Sequence, residues 1–110
     1  MSVPVPLDQL ADTVADYGGL GYLMSSGSDG RPRINHVRFS AERATLRAGV
    51  GRGTAAALVA QPHVSCLWPP RQDGGLSLIA DGEATLEQDG DSTIAVVLVT
   101  WAVLHRPPAD

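Results

Sequence analysis

The stretch that most constrains this chain is Leu46–Val64, LRAGVGRGTAAALVAQPHV. It reads as a strand end, a glycine-rich turn, a short helix, a proline stop and the next strand. Gly49, Gly51 and Gly53 permit a sharp turn and close approach of a ligand. Thr54 is placed to cap a helix over Ala55–Ala60. Free N–H groups at that helix start, beside Arg52, form an anion site, and a phosphate is the expected occupant. A glycine-rich turn that binds nothing has the same local signature. Two phosphate motifs are excluded. A P-loop needs Lys before its Ser or Thr, and the chain has eight Arg and no Lys. A dinucleotide fingerprint needs a long crossover helix, and here Gln61-Pro62 stops the helix after about two turns.

With 110 residues and a net charge of −4, the chain is expected to form a single domain spanning residues 1–110. A core of this size is often shared in an oligomer. The acidic balance argues against nucleic-acid or anionic-membrane partners. One cysteine, Cys66, permits no internal disulfide, which fits a cytoplasmic setting, and no signal peptide is visible. Ile94–Leu104 is the longest apolar run and is too short for a membrane-spanning helix.

Leu7, Leu10, Ala11 and Val14 recur at helical spacing, so Leu7–Tyr17 is expected to be an amphipathic helix ended by Gly18-Gly19. Six strands are expected: Leu20–Ser26, Arg33–Ser40, Ala44–Ala48, His63–Trp68, Leu76–Glu87 and Ile94–Arg106. Asp29-Gly30 marks a hairpin turn between the first two. Asp81-Gly82 marks a bulge that bends the fifth. Length alone would allow a helix at Ile94–Leu104, but Val96, Val97, Val99, Thr100, Trp101 and Val103 favour strand. Hairpin-connected strands with one short crossing helix indicate a small, mainly β barrel with helical decoration.

These pieces together resemble the flavin-binding split β-barrel family typified by pyridoxamine 5'-phosphate oxidase. The resemblance is carried by Tyr22-Leu23-Met24, Asp29-Gly30-Arg31-Pro32, Arg33 through Phe39, and Gly51-Arg52-Gly53-Thr54 before the helix. Leu58 through Ser65, Leu78 through Ala84 and Ala102 through Pro107 continue it. It implies a six-stranded split β-barrel and a homodimer with FMN at the subunit interface. Related branches take a deazaflavin or haem-degradation substrates. In the family the second strand lines the flavin ring and the helix-leading turn holds the phosphate. That implies cofactor contacts at Arg33, Asn35, His36, Val37, Arg52, Gly53 and Thr54. Arg33 and Arg38 match a basic pair on the second strand, and Thr54 matches a phosphate-binding hydroxyl. Ala55 and Ala56 depart from the pattern, standing where many members carry Arg and Lys.

The implied activity is hydride transfer between the cofactor and a small-molecule substrate. No residue presents itself as a dedicated acid or base, which suits a flavoprotein whose cofactor carries the chemistry. A non-catalytic flavin-binding module and a dimer that has lost its cofactor share these features. On a regular strand Arg33 and Arg38 face opposite sides. His36, His63 and His105 lack metal-ligand spacing, and Cys66 reads as a buried structural thiol.

Overall fold

The computed structural model describes residues 2–108. In chain order it contains β1 (Ser2–Pro4), a 3-10 turn at Leu7–Gln9 that leads into α1 (Leu10–Asp16), β2 (Leu20–Ser25), β3 (Arg33–Arg38), β4 (Ser40–Glu42) and β5 (Thr45–Val50). There follow α2 (Arg52–Ala60), β6 (His63–Trp68), β7 (Ser77–Asp89) and β8 (Ser92–His105). The strands form one sheet in the order β3-β2-β6-β7-β8-β5-β4, with β1 also on β8. All the pairs are antiparallel.

The described residues thus hold eight strands where the sequence indicates six. Residues 2–4 are too short and proline-bounded to show a period, yet they pair with Val103–His105. The expected strand Arg33–Ser40 is interrupted at Phe39, whose ring turns into the core while its N–H bonds the Gly19 carbonyl at 2.8 Å. Ser40–Glu42 then forms a separate strand on β5. Arg43 turns that hairpin with φ 56°, in the left-handed region.

β8 organises the sheet. One edge pairs with β7 along its whole length. The other edge pairs with β5 over Thr93–Leu98 and with β1 over Val103–His105. Between these ladders, the Val99 N–H bonds Ala44 O and the Val5 N–H bonds Ala102 O, each at 2.9 Å. A strand that bends to serve two partners needs an irregularity. Asp81 faces Trp101 and Gly82 faces Val99, which leaves Thr100 as the extra residue. The bulge therefore lies where the sequence indicates, with its extra residue on β8 rather than in Asp81-Gly82. Gly82 is required opposite it, because a Cβ there would run into the Leu98 carbonyl.

Alternation sends Leu78, Ala80 and Ala84 of β7 and Ala95, Val97 and Val99 of β8 into the interior. Small residues on these strands leave room for Leu23, Leu46, Leu58 and Trp68, all essentially buried. Each such side chain contributes roughly 1.5–3 kcal/mol by leaving water. Trp68 packs on Phe39 with centroids 4.9 Å apart and lies over Gly21, where a Cβ would meet its ring at 2.9 Å. α1 buries Leu10 and Val14 and packs beside β4. Its end is tied by the Tyr17 hydroxyl, which donates to Leu76 O at 2.7 Å, and by Arg71, which donates to Asp16 O. α2 packs on β7, β2 and β8 through Thr54, Ala57 and Leu58.

Candidate functional site

The turn from β5 into α2 is less strained than its glycines suggest. None of Gly49, Gly51 and Gly53 has a positive φ. A Cβ at Gly49 or Gly51 would meet nothing within 4 Å. Gly53 differs: a Cβ there would stand 2.9 Å from Arg33 Nη2. The absence of a side chain at 53 lets the β3 guanidinium lie against the first turn of α2.

Gly51, not Thr54, is the N-cap, with an extended backbone and no side-chain cap. The first helical bond runs from the Ala55 N–H to Gly51 O at 2.9 Å. The amides of Arg52, Gly53 and Thr54 precede it and have no acceptor within the helix. Thr54 lies inside the helix at 4% exposure, and its hydroxyl donates to Asn35 Oδ1 at 2.9 Å. A long-range partner on β3 has taken the hydroxyl that the sequence assigns to capping.

Alternation along β3 sorts the remaining candidates. Asn35 and Val37 are half-buried, and Val37 packs on the core. Ile34, His36 and Arg38 lie exposed on the opposite face. There His36 stacks on its cross-strand partner Tyr22, with centroids 4.7 Å apart and planes 18° from parallel. Arg33 and Arg38 are separated as the strand period requires. Arg38 lines a different cleft, beside Arg47 and Gly49.

Three clefts surround α2 and the adjoining hairpin. The first, about 310 Å³, lies between the β2–β3 loop and α2; Arg31, Arg33, Gly53, Ala56 and Ala57 are among its walls. Its Asp29 accepts the Arg31 backbone N–H at 3.1 Å, and two arginines and one carboxylate line the cleft. The second, about 560 Å³, contains Arg52 with Gln88, Asp91 and Thr93. Arg52 and Arg33 therefore open on different clefts, although Arg33 of β3 lies against Gly53, the residue after Arg52. The third, about 600 Å³, shares Ser26 and Pro32 with the first as walls and carries Asp81, Glu83 and His63. There His63 Nε2 stands 3.0 Å from Glu83 Oε1, and the Ser65 hydroxyl donates to Asp81 at 2.6 Å.

The structure thus brings Arg33, Asn35, Gly53 and Thr54 together, leaves Arg52 and His36 facing elsewhere, and packs Val37, on the Asn35 face of β3, against the core. Arg31 is the site neighbour that sequence reasoning missed. Its signal was the polar SSGSDGRPR loop, which reads as a hairpin turn and also forms a cleft wall. Cys66 is fully buried, and burial, with the Asp81 charge second, pushes its thiol up to about 12; it is inert. Among the described residues, no three His, Cys, Asp or Glu side chains cluster as a metal site. Nor is any helix among them long and apolar enough to cross a membrane.

This arrangement, an antiparallel barrel with a short helix crossing between β5 and β6, is a split β-barrel. No protein-family profile matches the chain and no curated protein matches it. Solved structures do. A Listeria innocua protein designated a pyridoxamine 5'-phosphate oxidase superposes with TM-score 0.73 at 18% identity, covering 86% of this chain and 97% of its own. The FAD-binding protein of Mycobacterium smegmatis superposes with TM-score 0.70 at 18% identity, covering 96% and 100%. HutZ, the haem storage protein of Vibrio cholerae, does so with TM-score 0.67 at 12% identity, covering 91% and 95%. The chain has the split β-barrel fold of the pyridoxamine 5'-phosphate oxidase-like proteins, a fold that carries both flavin and haem binders.

Proposed function

We propose that this chain binds a flavin nucleotide, FMN or a deazaflavin, by its phosphate in the cleft between Arg33 and the start of α2. The observation that carries this is the Arg33 guanidinium resting on Gly53 beside the free first-turn amides. Arginine and oriented N–H groups are both donors, and a phosphate only accepts. A cradle that a Cβ would fill fits such a group. A volume of about 310 Å³ suits a phosphate and its ribityl chain better than a whole nucleotide. The ring would lie beyond it, on the neighbouring cleft that shares Ser26 and Pro32 as walls.

A bound flavin supplies hydride transfer to or from a small substrate. This chain's residues hold the phosphate and shape the approach to the ring. Arg52 would act from the opposite flank of the turn. Exposed apolar side chains support a homodimer: Ile34 is 66% exposed on β3, and Leu98 and Trp101 of β8 are 61% and 49% exposed. Among the residues lining the phosphate cleft no acid is paired with a base, and the His63–Glu83 pair of the neighbouring cleft is exposed, which also favours a second reading as a cytoplasmic flavin-binding module without turnover.

Titration of FMN and riboflavin, followed by flavin fluorescence, tests the phosphate site. FMN is expected to bind more tightly, and Arg33→Ala should lose a charged hydrogen bond worth about 1.5–3 kcal/mol with FMN only. Equal affinities for the two ligands would overturn the reading. Turnover of a reduced nicotinamide or deazaflavin separates the enzyme from the binding module.

A further inference from the structure

We infer that Thr54 and Asn35 form a positioning pair that holds the start of α2 against β3, and that Thr54 is not itself a phosphate ligand. The inference rests on the phosphate reading above for its meaning, and on the hydrogen bond for its geometry. A phosphate oxygen offers only lone pairs, so a hydroxyl that binds it must donate its proton. Thr54 has one such proton and gives it to Asn35 Oδ1 at 2.9 Å. Thr54 as a whole residue is only 4% exposed and does not line the cleft. The same bond leaves the Asn35 amide hydrogens as its remaining donors.

The consequence is geometric. Arg33 and Asn35 are two apart on β3 and so share a face. Gly53 and Thr54 are consecutive at the start of α2. The strand therefore touches the helix twice, through Arg33 on the Gly53 backbone and through Asn35 on the Thr54 hydroxyl. The second contact is half-buried and directional, so it sets how far the first-turn amides stand from the Arg33 guanidinium. Gly51 supplies no side-chain cap, and the Thr54–Asn35 bond takes over the task of holding the helix start. Phosphate contacts act within a few tenths of an ångström, so loosening this pair should weaken phosphate binding without removing any ligand.

The test uses Thr54→Val, Thr54→Ser, Asn35→Ala and the Thr54→Val/Asn35→Ala double variant of the full chain. Two readouts apply: FMN and riboflavin affinity by fluorescence titration, and amide hydrogen exchange at Ala55 and Ala56 in protein without flavin. Thr54→Val and Asn35→Ala are each expected to weaken FMN binding roughly three- to tenfold, the range of one neutral hydrogen bond. Both should leave riboflavin unchanged and speed exchange at Ala55 and Ala56. The double variant should be no worse than either single one, because both remove the same bond. Thr54→Ser should restore both readouts. A direct ligand behaves differently: Asn35→Ala would then free the hydroxyl and leave FMN binding equal or tighter, which overturns the inference while the phosphate site stands. If the parent protein shows no preference for FMN, the phosphate reading fails. In that case the exchange arm still decides the pair, and unchanged exchange in Thr54→Val refutes it.

Discussion

Gly53→Ala is expected to make the protein more stable and its site weaker. Gly53 sits in the first turn of α2 without a positive φ, so alanine fits the backbone and removes unfolded-state freedom. In a helix this exchange is worth about 0.5–1 kcal/mol. An unfolding entropy of about 2.1 cal/mol/K per residue over 110 residues comes to about 0.23 kcal/mol/K, so Tm should rise by roughly 2–4 °C. The new methyl would stand 2.9 Å from Arg33 Nη2 and 3.8 Å from its Cζ. That group is the end of a flexible, exposed side chain, so it moves aside at little cost to the fold. Its charged hydrogen bonds to phosphate then lengthen or break. A loss of about 1.5–3 kcal/mol corresponds to a roughly 10- to 150-fold weaker FMN complex, with riboflavin unchanged. Calorimetry gives the Tm and flavin fluorescence the affinities. Added to Arg33→Ala, Gly53→Ala should have no further effect on FMN, since the group it displaces is gone. A fallen Tm would refute the backbone argument. A risen Tm with unchanged FMN affinity would refute the place given to Arg33.

Gly82→Ala should destabilise by about 1–3 kcal/mol, because the new Cβ meets the backbone carbonyl of Leu98 across the bulge; urea denaturation measures it, and a neutral result would contradict the bulge geometry. Cys66 should resist iodoacetamide at pH 8 in the folded protein and react once it is unfolded. Its folded thiol lies at about 12, above the ordinary 9.0. The stabilising difference is therefore complete below pH 9 and is lost as pH rises, by about 1.4 kcal/mol per unit up to the folded value. Cys66→Ala should flatten that alkaline slope, and an identical slope in both proteins would count against it. The double change Leu98→Glu, Trp101→Glu places charge on two exposed positions of β8. It should shift a homodimer to monomer in light scattering without lowering helix or strand content, and a parent protein already monomeric at micromolar concentration would refute the dimer.

Residues whose local period matches their environment were legible. The alternation of β8, Ala95-Val97-Val99 inward, outweighed the length that would have allowed a helix. Gly18 and Gly19 end the first helical segment as expected, each with a positive φ. β1 and β4 were not legible, because three residues carry no period and each exists only through a partner brought up from elsewhere. Asp81-Gly82 does mark the bulge, but only the pairing places its extra residue at Thr100 of β8. A glycine marks close approach of another backbone, but which strand carries the additional residue depends on the register of both.

The site shows the same division. The sequence by itself determined that a glycine-rich turn would enter a short helix, that its first-turn amides would be free, and that Arg33 and Arg38 would part company. These follow from local backbone geometry and from a strand period of two. Only the tertiary structure decided that Arg33 would reach Gly53 while Arg52 opened on another cleft, and that Thr54 would give its proton to Asn35 instead of capping α2. Those outcomes depend on how β3 is laid against α2, nineteen residues apart at the Thr54–Asn35 bond. A side chain's partner across such a separation is set by the packing of the whole barrel, and no local pattern records it.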